Sequence, residues 1–265
     1  MEFKSLISRF TIYQYASFLL AVLALSSAFF YGFGASSLTQ VIIAILTASI
    51  LDLSINYFKS KTWSFPQSAL ISGLFIGGLL AQGLQWHVYA IAGVIAVLSK
   101  HLIKFRQKHV FNPAIFGVLA VSLIFNASHS WWVSSPLALV LIFGIFIAWR
   151  LRRIDLTLSF LISYYLISSV IGILNGAQFS DIYLSVLNGG VIYFFSMFML
   201  TEPRTNPMQR KQRIAYGIIV AVLLVLFNFA IPQHDLPLAL AAGNIFVPVL
   251  NKMGFQKKVS EAANA

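Results

Sequence analysis

Cysteine is absent from the 265 residues. That excludes disulfides, thiolate metal sites and cysteine-ligated iron–sulfur clusters within the chain. Charge is scarce too, with Asp, Glu, Lys and Arg making up 9% against about 25% in a soluble domain. Acid is scarcer still: seven Asp and Glu stand against eighteen Lys and Arg, a net charge of +11. Polar stretches long enough to form a soluble domain are missing. No two His share a metal-ligand spacing on one helix, so no metal is expected. No Ser-His-Asp set and no phosphate-cradling glycine loop occurs, so no catalytic residue is assigned. The stretch from Tyr13 is too long for a cleavable signal peptide and precedes no convincing small-residue cleavage site. What is present is apolar: 59% of the chain is hydrophobic, more than a water-soluble core could bury. Lipid is therefore the expected solvent for most of the molecule.

The basic residues fall in six clusters: Lys4 and Arg9; Lys59 and Lys61; Lys100, Lys104, Arg106 and Lys108; Arg150, Arg152 and Arg153; Arg204, Arg210, Lys211 and Arg213; Lys252, Lys257 and Lys258. Two apolar segments separate each cluster from the next. Basic residues resist translocation and stay cytoplasmic, so these charges set topology and attract lipid headgroups; nucleic-acid binding is not expected. The pattern gives an all-α polytopic membrane protein of about ten transmembrane helices, with both termini cytoplasmic. The spans read as roughly 13–33, 37–57, 68–85, 87–103, 110–127, 135–150, 154–174, 183–201, 214–231 and 236–252, given the ~20 apolar residues a span needs. Trp86, Trp131 and Trp132 fall where an outer aromatic belt is expected. Residues 1–265 form a single membrane domain.

An internal repeat is expected. Ser68-Ala69-Leu70-Ile71-Ser72-Gly73 opens the third span, and Ser185-Val186-Leu187-Asn188-Gly189-Gly190 lies early in the eighth. Five spans separate them, so the copies enter the membrane from opposite sides: two inverted five-helix repeats, about 1–130 and 131–265. A weaker echo links Asn112-Pro113 to Asn244 and Pro248.

Candidate site residues cluster in the same places. Asn112 can cap a helix with Pro113 in its first position, and such a helix start also offers free N–H groups to a ligand. Met199-Leu200-Thr201-Glu202-Pro203-Arg204 ends the eighth span at a boundary where a glutamate is costly without a partner. Gly73, Gly77, Gly78, Gly189 and Gly190 either permit close helix packing or mark breaks that line a cavity. Asp52, inside the second span, is a candidate ion or proton site, as is Glu202. His101 and His109 read as interfacial, His87, His129 and His234 as lying in outer links, and Asp155 as a surface partner of Arg152 or Arg153.

The S-A-L-x-S-G helix start, the basic loop running into F-N-P-A, the L-T-E-P-R-T-x-P turn and the final A-x-x-x-x-N-I-x-V-P span occur in this order. Together they resemble the family of membrane subunits comprising RnfD of the Rnf electron-transport complex and NqrB of the sodium-pumping NADH:quinone oxidoreductase. The resemblance implies a bacterial inner-membrane subunit of a flavin-dependent complex, at most a redox carrier rather than a catalyst. It implies further membrane and soluble partner subunits, and electron transfer coupled to sodium or proton movement. Some family members attach flavin through a Thr in an S-G-A-T motif in the outer link after the fifth span. Here residues 125–135 hold neither Thr nor Gly, and Leu187-Asn188-Gly189-Gly190 holds no Thr. Any flavin (FMN or riboflavin) is thus expected to be non-covalent, held by Ser72, Gly73, Asn112, Pro113, Asn188, Gly189, Thr201, Glu202, Arg204 and Asn244. Two alternatives stay open: a solute transporter or channel on the same fold, and a scaffold without cofactor.

Overall fold

A computed structural model describes residues 10–263, with side chains to residue 253. Lys4 and Arg9 of the first basic cluster lie outside the described residues, as do the side chains of Lys257 and Lys258. The chain is all-α: α1 (Ile12–Phe30), α2 (Ser36–Ser60), α3 (Gln67–Leu79), α4 (Trp86–Leu102), α5 (Pro113–Phe125), α6 (Leu137–Arg150), α7 (Ile154–Leu174), α8 (Phe179–Leu187), α9 (Gly190–Phe194), α10 (Arg210–Ala230) and α11 (Asp235–Ala263). Among the described residues the only strands are the two-residue β1 (Lys104–Phe105) and β2 (Lys108–His109).

Five of these segments are long and apolar enough to cross a bilayer: α1, α2, α7, α10 and residues 232–253. α8 and α9 with its π-helical extension Phe195–Met199 reach that length only together, bent by 47° at the break, the form of a broken span or a re-entrant loop. The bend falls at Asn188-Gly189, so one glycine of the candidate set does mark a broken helix. α3, α4, α5 and α6 are shorter apolar helices. At 13 residues, α3 rises only about 20 Å, less than the ~30 Å hydrocarbon core. The third segment is therefore not helical to residue 85: it turns extended at Leu80 and pairs with the α5–α6 link, where Leu80 bridges His129.

Local chemistry accounts for the helix ends. Thr11 and Gln14 form a reciprocal capping box on α1. Lys61 and Asn126 terminate α2 and α5 in the left-handed region. Close packing rests on small residues. A Cβ on Gly73 or Gly77 would collide with the backbone of Ile45 or Val41 in α2, so α2 and α3 approach nearly backbone to backbone. Gly73 is thus absorbed by helix packing rather than by a ligand site.

The core is a contiguous apolar cluster containing Trp132, Phe160, Phe194, Phe195 and Tyr216, all nearly inaccessible. Trp131 and Trp132 were expected in an aromatic belt but lie inside the bundle. The Trp132 indole N–H donates to the Gly77 carbonyl at 2.8 Å, which draws the link inward to satisfy the end of the short α3. Trp86 is exposed, as a belt residue would be.

The two repeat motifs differ locally. Ser68 stands at the start of α3, whereas Ser185 lies in the last turn of α8 and the break follows it. Gly190, not Ser185, begins the inner helical piece, because Asn188 and Gly189 leave helical geometry.

Candidate functional site

Helix ends converge at the basic end of the bundle. The β1–β2 hairpin turns through Arg106 and Gln107, both at positive φ, and delivers the chain into α5. Asn112 accepts the Ile115 N–H at 3.2 Å, and Pro113 takes the first helical position. One of the amide N–H groups at this start, that of Ile115, is therefore capped from within. Beside it, the chain after the π turn reverses at Thr201-Glu202-Pro203-Arg204.

These pieces enclose a cavity of about 110 Å³ whose walls include Ser68, Ser72, Phe75, Lys100, His109, Asn112, Pro113, Phe198, Glu202 and Arg204. A second cavity, of about 270 Å³, opens alongside and shares His109 and Arg204 with the first. Arg106, Lys108 and Lys252 add positive charge to it, and among the described residues its lining contains no carboxylate.

Two carboxylate–imidazole contacts organise the surroundings. His109 Nε2 meets Glu202 Oε1 at 3.0 Å, and the Thr205 hydroxyl donates to the other glutamate oxygen at 3.2 Å. On the far side of Lys100, Asp52 is 2% exposed. Lys100 Nζ lies 3.0 Å from both its oxygens and donates to the Ser68 hydroxyl at 2.6 Å. His101 Nε2 reaches Asp52 at 2.7 Å while Lys59 lies 3.3 Å from its Nδ1. An ammonium can only donate, so Nδ1 accepts from Lys59 and the imidazole proton sits on Nε2, facing Asp52. A polar line thus runs from Lys59 through His101, Asp52 and Lys100 to Ser68 on the cavity wall.

Behind Asn112 lies Asn244, which is fully buried. Its side-chain oxygen accepts the Asn112 N–H at 3.0 Å, and its amide donates to the Thr205 carbonyl at 3.2 Å and lies 2.6 Å from the Tyr216 hydroxyl. The two asparagines of the repeat echo therefore meet, and they join α5, α10, α11 and the Glu202 turn. Further out, Arg153 Nε donates to Asn206 at 3.0 Å. Burial first, then the neighbouring Arg213, lowers the Arg153 pKa from its ordinary value, partly opposed by Asp155.

Of the expected site residues, Ser72, Asn112, Pro113, Glu202 and Arg204 line the first cavity, and Asn244 lines the second. Asp52 reaches the first through Lys100. Thr201 is buried and its hydroxyl donates to the Met197 carbonyl at 2.6 Å, which serves the helix end. Asn188 and Gly189 lie elsewhere. The next residue, Gly190, packs on Ser134 ahead of α6, whereas Ile147 and Leu151 at the other end of α6 line the cavity. Some ten residues of helix, about 15 Å, separate the two. Asp155 pairs not with its neighbours Arg152 and Arg153 but with Arg213 of α10, at 2.6 Å.

Lys100, Ser68, His101, His109, Thr205 and Tyr216 were not singled out as site residues in the sequence. A lysine and a histidine adjacent in the last turn of the fourth span, with an aspartate inside the second, were the available signal. The partnership between His109 and Glu202 spans 93 positions and leaves no local trace.

The sequence profile of the NQR2, RnfD, RnfE family matches residues 9–136 and 122–260. Among individual proteins the chain is similar to the D component of the ion-translocating oxidoreductase complex of Methanosarcina acetivorans, 24% identical over 93% of this chain and 91% of that one. It is also similar to proteins of the same name from Pectobacterium carotovorum, 30% identical over 50% of this chain and 41% of the relative, and from Pectobacterium atrosepticum, 29% identical over 41% and 32%. The chain thus matches nearly the whole of the first relative but less than half the length of the other two.

Proposed function

The chain belongs to the NQR2, RnfD, RnfE family, and from that premise we propose that it is the membrane subunit of a flavin-dependent electron-transport complex. In this reading electron transfer is coupled to sodium or proton movement, and other membrane and soluble subunits complete the complex. The names of its relatives support the assignment. The basic clusters support a bacterial inner-membrane location with both termini cytoplasmic. The meeting of Asn112 with Asn244, the two ends of the repeat echo, supports two inverted halves dividing near residue 130.

The paired cavities carry the reading. Alone, the first is smaller than the ~300–1,000 Å³ of ligand pockets, but the two together fall within that range. Their donor sets differ as the two ends of an FMN do. Ser72, the Asn112 amide, His109 and Glu202 offer donors and acceptors to a ring edge between Phe75 and Phe198. Arg204, Arg106, Lys108 and Lys252 offer cations to a phosphate. The residues present therefore fit a non-covalent flavin, which when bound supplies one- and two-electron redox chemistry. The missing Thr in residues 125–135 and 187–190 favours non-covalent attachment. Asp52 and Glu202, each touching an imidazole, are the carboxylates proposed for the ion or proton path.

Full-length protein purified in detergent should show flavin absorbance, either as isolated or after added FMN. Acid precipitation should release all of it to the supernatant. Colourless protein that takes up no FMN overturns the cofactor assignment, and flavin fluorescence retained on the denatured chain overturns non-covalent attachment. The bent α8–α9 pair favours a second reading, a solute pathway. Uptake by proteoliposomes holding the chain alone separates the two.

A further inference from the structure

A second basic site lies apart from these cavities, where the α6–α7 turn meets the start of α10. An open groove of about 650 Å³ is lined by Trp149, Arg150, Arg152, Ile154, Asp155, Leu158, Arg210 and Arg213. Four guanidinium groups face one carboxylate there. Arg213 alone among them holds Asp155, with Nε and Nη2 contacts of 2.6–3.2 Å. Arg150, Arg152 and Arg210 are exposed and, among the described residues, pair with no acid. Three uncompensated arginines are therefore gathered from the α6–α7 corner and the start of α10.

The apolar side of the groove has an equally specific form. Trp149, Ile154 and Leu158 are 55%, 39% and 50% exposed. From Ile154 an exposed row continues along α7 through Leu158, Ile162, Leu166 and Val170, one residue every fourth position. That spacing places the row on one helix face. A second exposed row, Ile142, Ile145 and Trp149, climbs α6 to the same arginines. Two apolar tracks thus end under a cationic crown with an aromatic residue at the junction. Arginine forks match phosphate oxygens in pairs, tryptophan favours the headgroup level, and basic pockets between membrane helices bind anionic headgroups.

We propose that this groove is a binding site for an anionic glycerophospholipid of the surrounding leaflet, its phosphodiester held by Arg150, Arg152 and Arg210 and its acyl chains laid on the α6 and α7 rows. A free phosphate would satisfy the arginines but leave the apolar tracks without a function. The Asp155–Arg213 pair is a positioning element that fixes α7 against α10 and so sets the spacing of the crown.

The test reconstitutes the full chain in nanodiscs of phosphatidylcholine with a minor share of phosphatidylglycerol. After detergent extraction, native mass spectrometry counts the retained lipids. Phosphatidylglycerol should be enriched over its bulk share, and each Arg→Gln change at 150, 152 or 210 should reduce that enrichment by about fivefold at low salt. All three changes together should abolish it. The triple variant Lys61→Gln, Lys104→Gln, Lys258→Gln loses as much charge elsewhere and should retain it. Folding of each variant is checked by its thermal transition. Equal loss in both triple variants overturns the site as mere net charge. Displacement of the lipid by excess inorganic phosphate overturns the lipid as occupant, and retention at bulk proportion overturns both.

Discussion

Asp52 sits in a membrane segment with a lysine on both its oxygens and an imidazole on one of them. Such a carboxylate is stable only as part of its set, because removing one partner leaves the others as uncompensated buried charge. Asp52→Asn should lower stability by about 3–5 kcal/mol, read as a fall in the thermal transition in detergent. Adding Lys100→Met should recover most of that loss. Full additivity of the two changes would show that Lys100 is not held by Asp52. His129 carries a different dependence. Burial first, and the nearby His234 next, push its pKa down, partly opposed by Asp235. The unfolded chain therefore binds this proton more readily than the folded one, so stability is complete above about pH 6.5 and falls as pH drops toward the folded value. Thermal transitions followed from neutral to about pH 5 should decline for the native chain and decline less for His129→Gln. Parallel slopes would remove His129 as the cause. Neither the Lys59–His101–Asp52–Lys100 line nor the His129–His234 proximity was legible in the sequence. Both join residues that are close in space across different helices, and no short spacing records such contacts. Asn112, by contrast, was legible because a cap is decided within four residues.

At the level of elements, the same distinction separates what composition shows from what packing shows. The long apolar helices α1, α2, α7 and α10 lie close to the expected spans. α3 does not, since apolar composition continues to residue 85 while the helix stops at Leu79. Its carbonyls there are taken by Trp132 and by the α5–α6 link, a tertiary effect. The small residues on its α2 face were open to two readings, and contact decides for close approach. Gly77→Leu should force α2 and α3 apart and cost about 1–3 kcal/mol, with Gly83→Ala at an uncrowded turn serving as a backbone-strain control. An unchanged transition for Gly77→Leu would mean that the helices do not meet there.

For the whole molecule, the absence of cysteine makes single-cysteine labelling unambiguous. Gln107→Cys, Arg152→Cys and Met208→Cys should react with a membrane-impermeant maleimide from the same face, and Ser128→Cys and Phe179→Cys from the other. Labelling of positions 152 and 208 from opposite faces would overturn the topology inferred from charge. Overall membrane architecture was readable because desolvation acts on composition, residue by residue. The pairing of the cavities was not, because it depends on loops far apart in the chain closing over one another.

The shortness of α3 bears on how the protein insulates its two faces. The Gly77 carbonyl beneath Trp132 lies five residues, about 8 Å of helical rise, from the Ser72 wall, and beyond Trp132 the link returns at once to exposed Ser128 and Ser130. Between the two lies an aromatic septum of Phe75, Phe194 and Phe198 with stacked and edge-on rings. A voltage across a bilayer falls most steeply where the low-dielectric layer is thinnest, so if the Ser72 cavity and the Ser128 link each meet water, a charge displaced along this line would cross a large share of the field over a short distance.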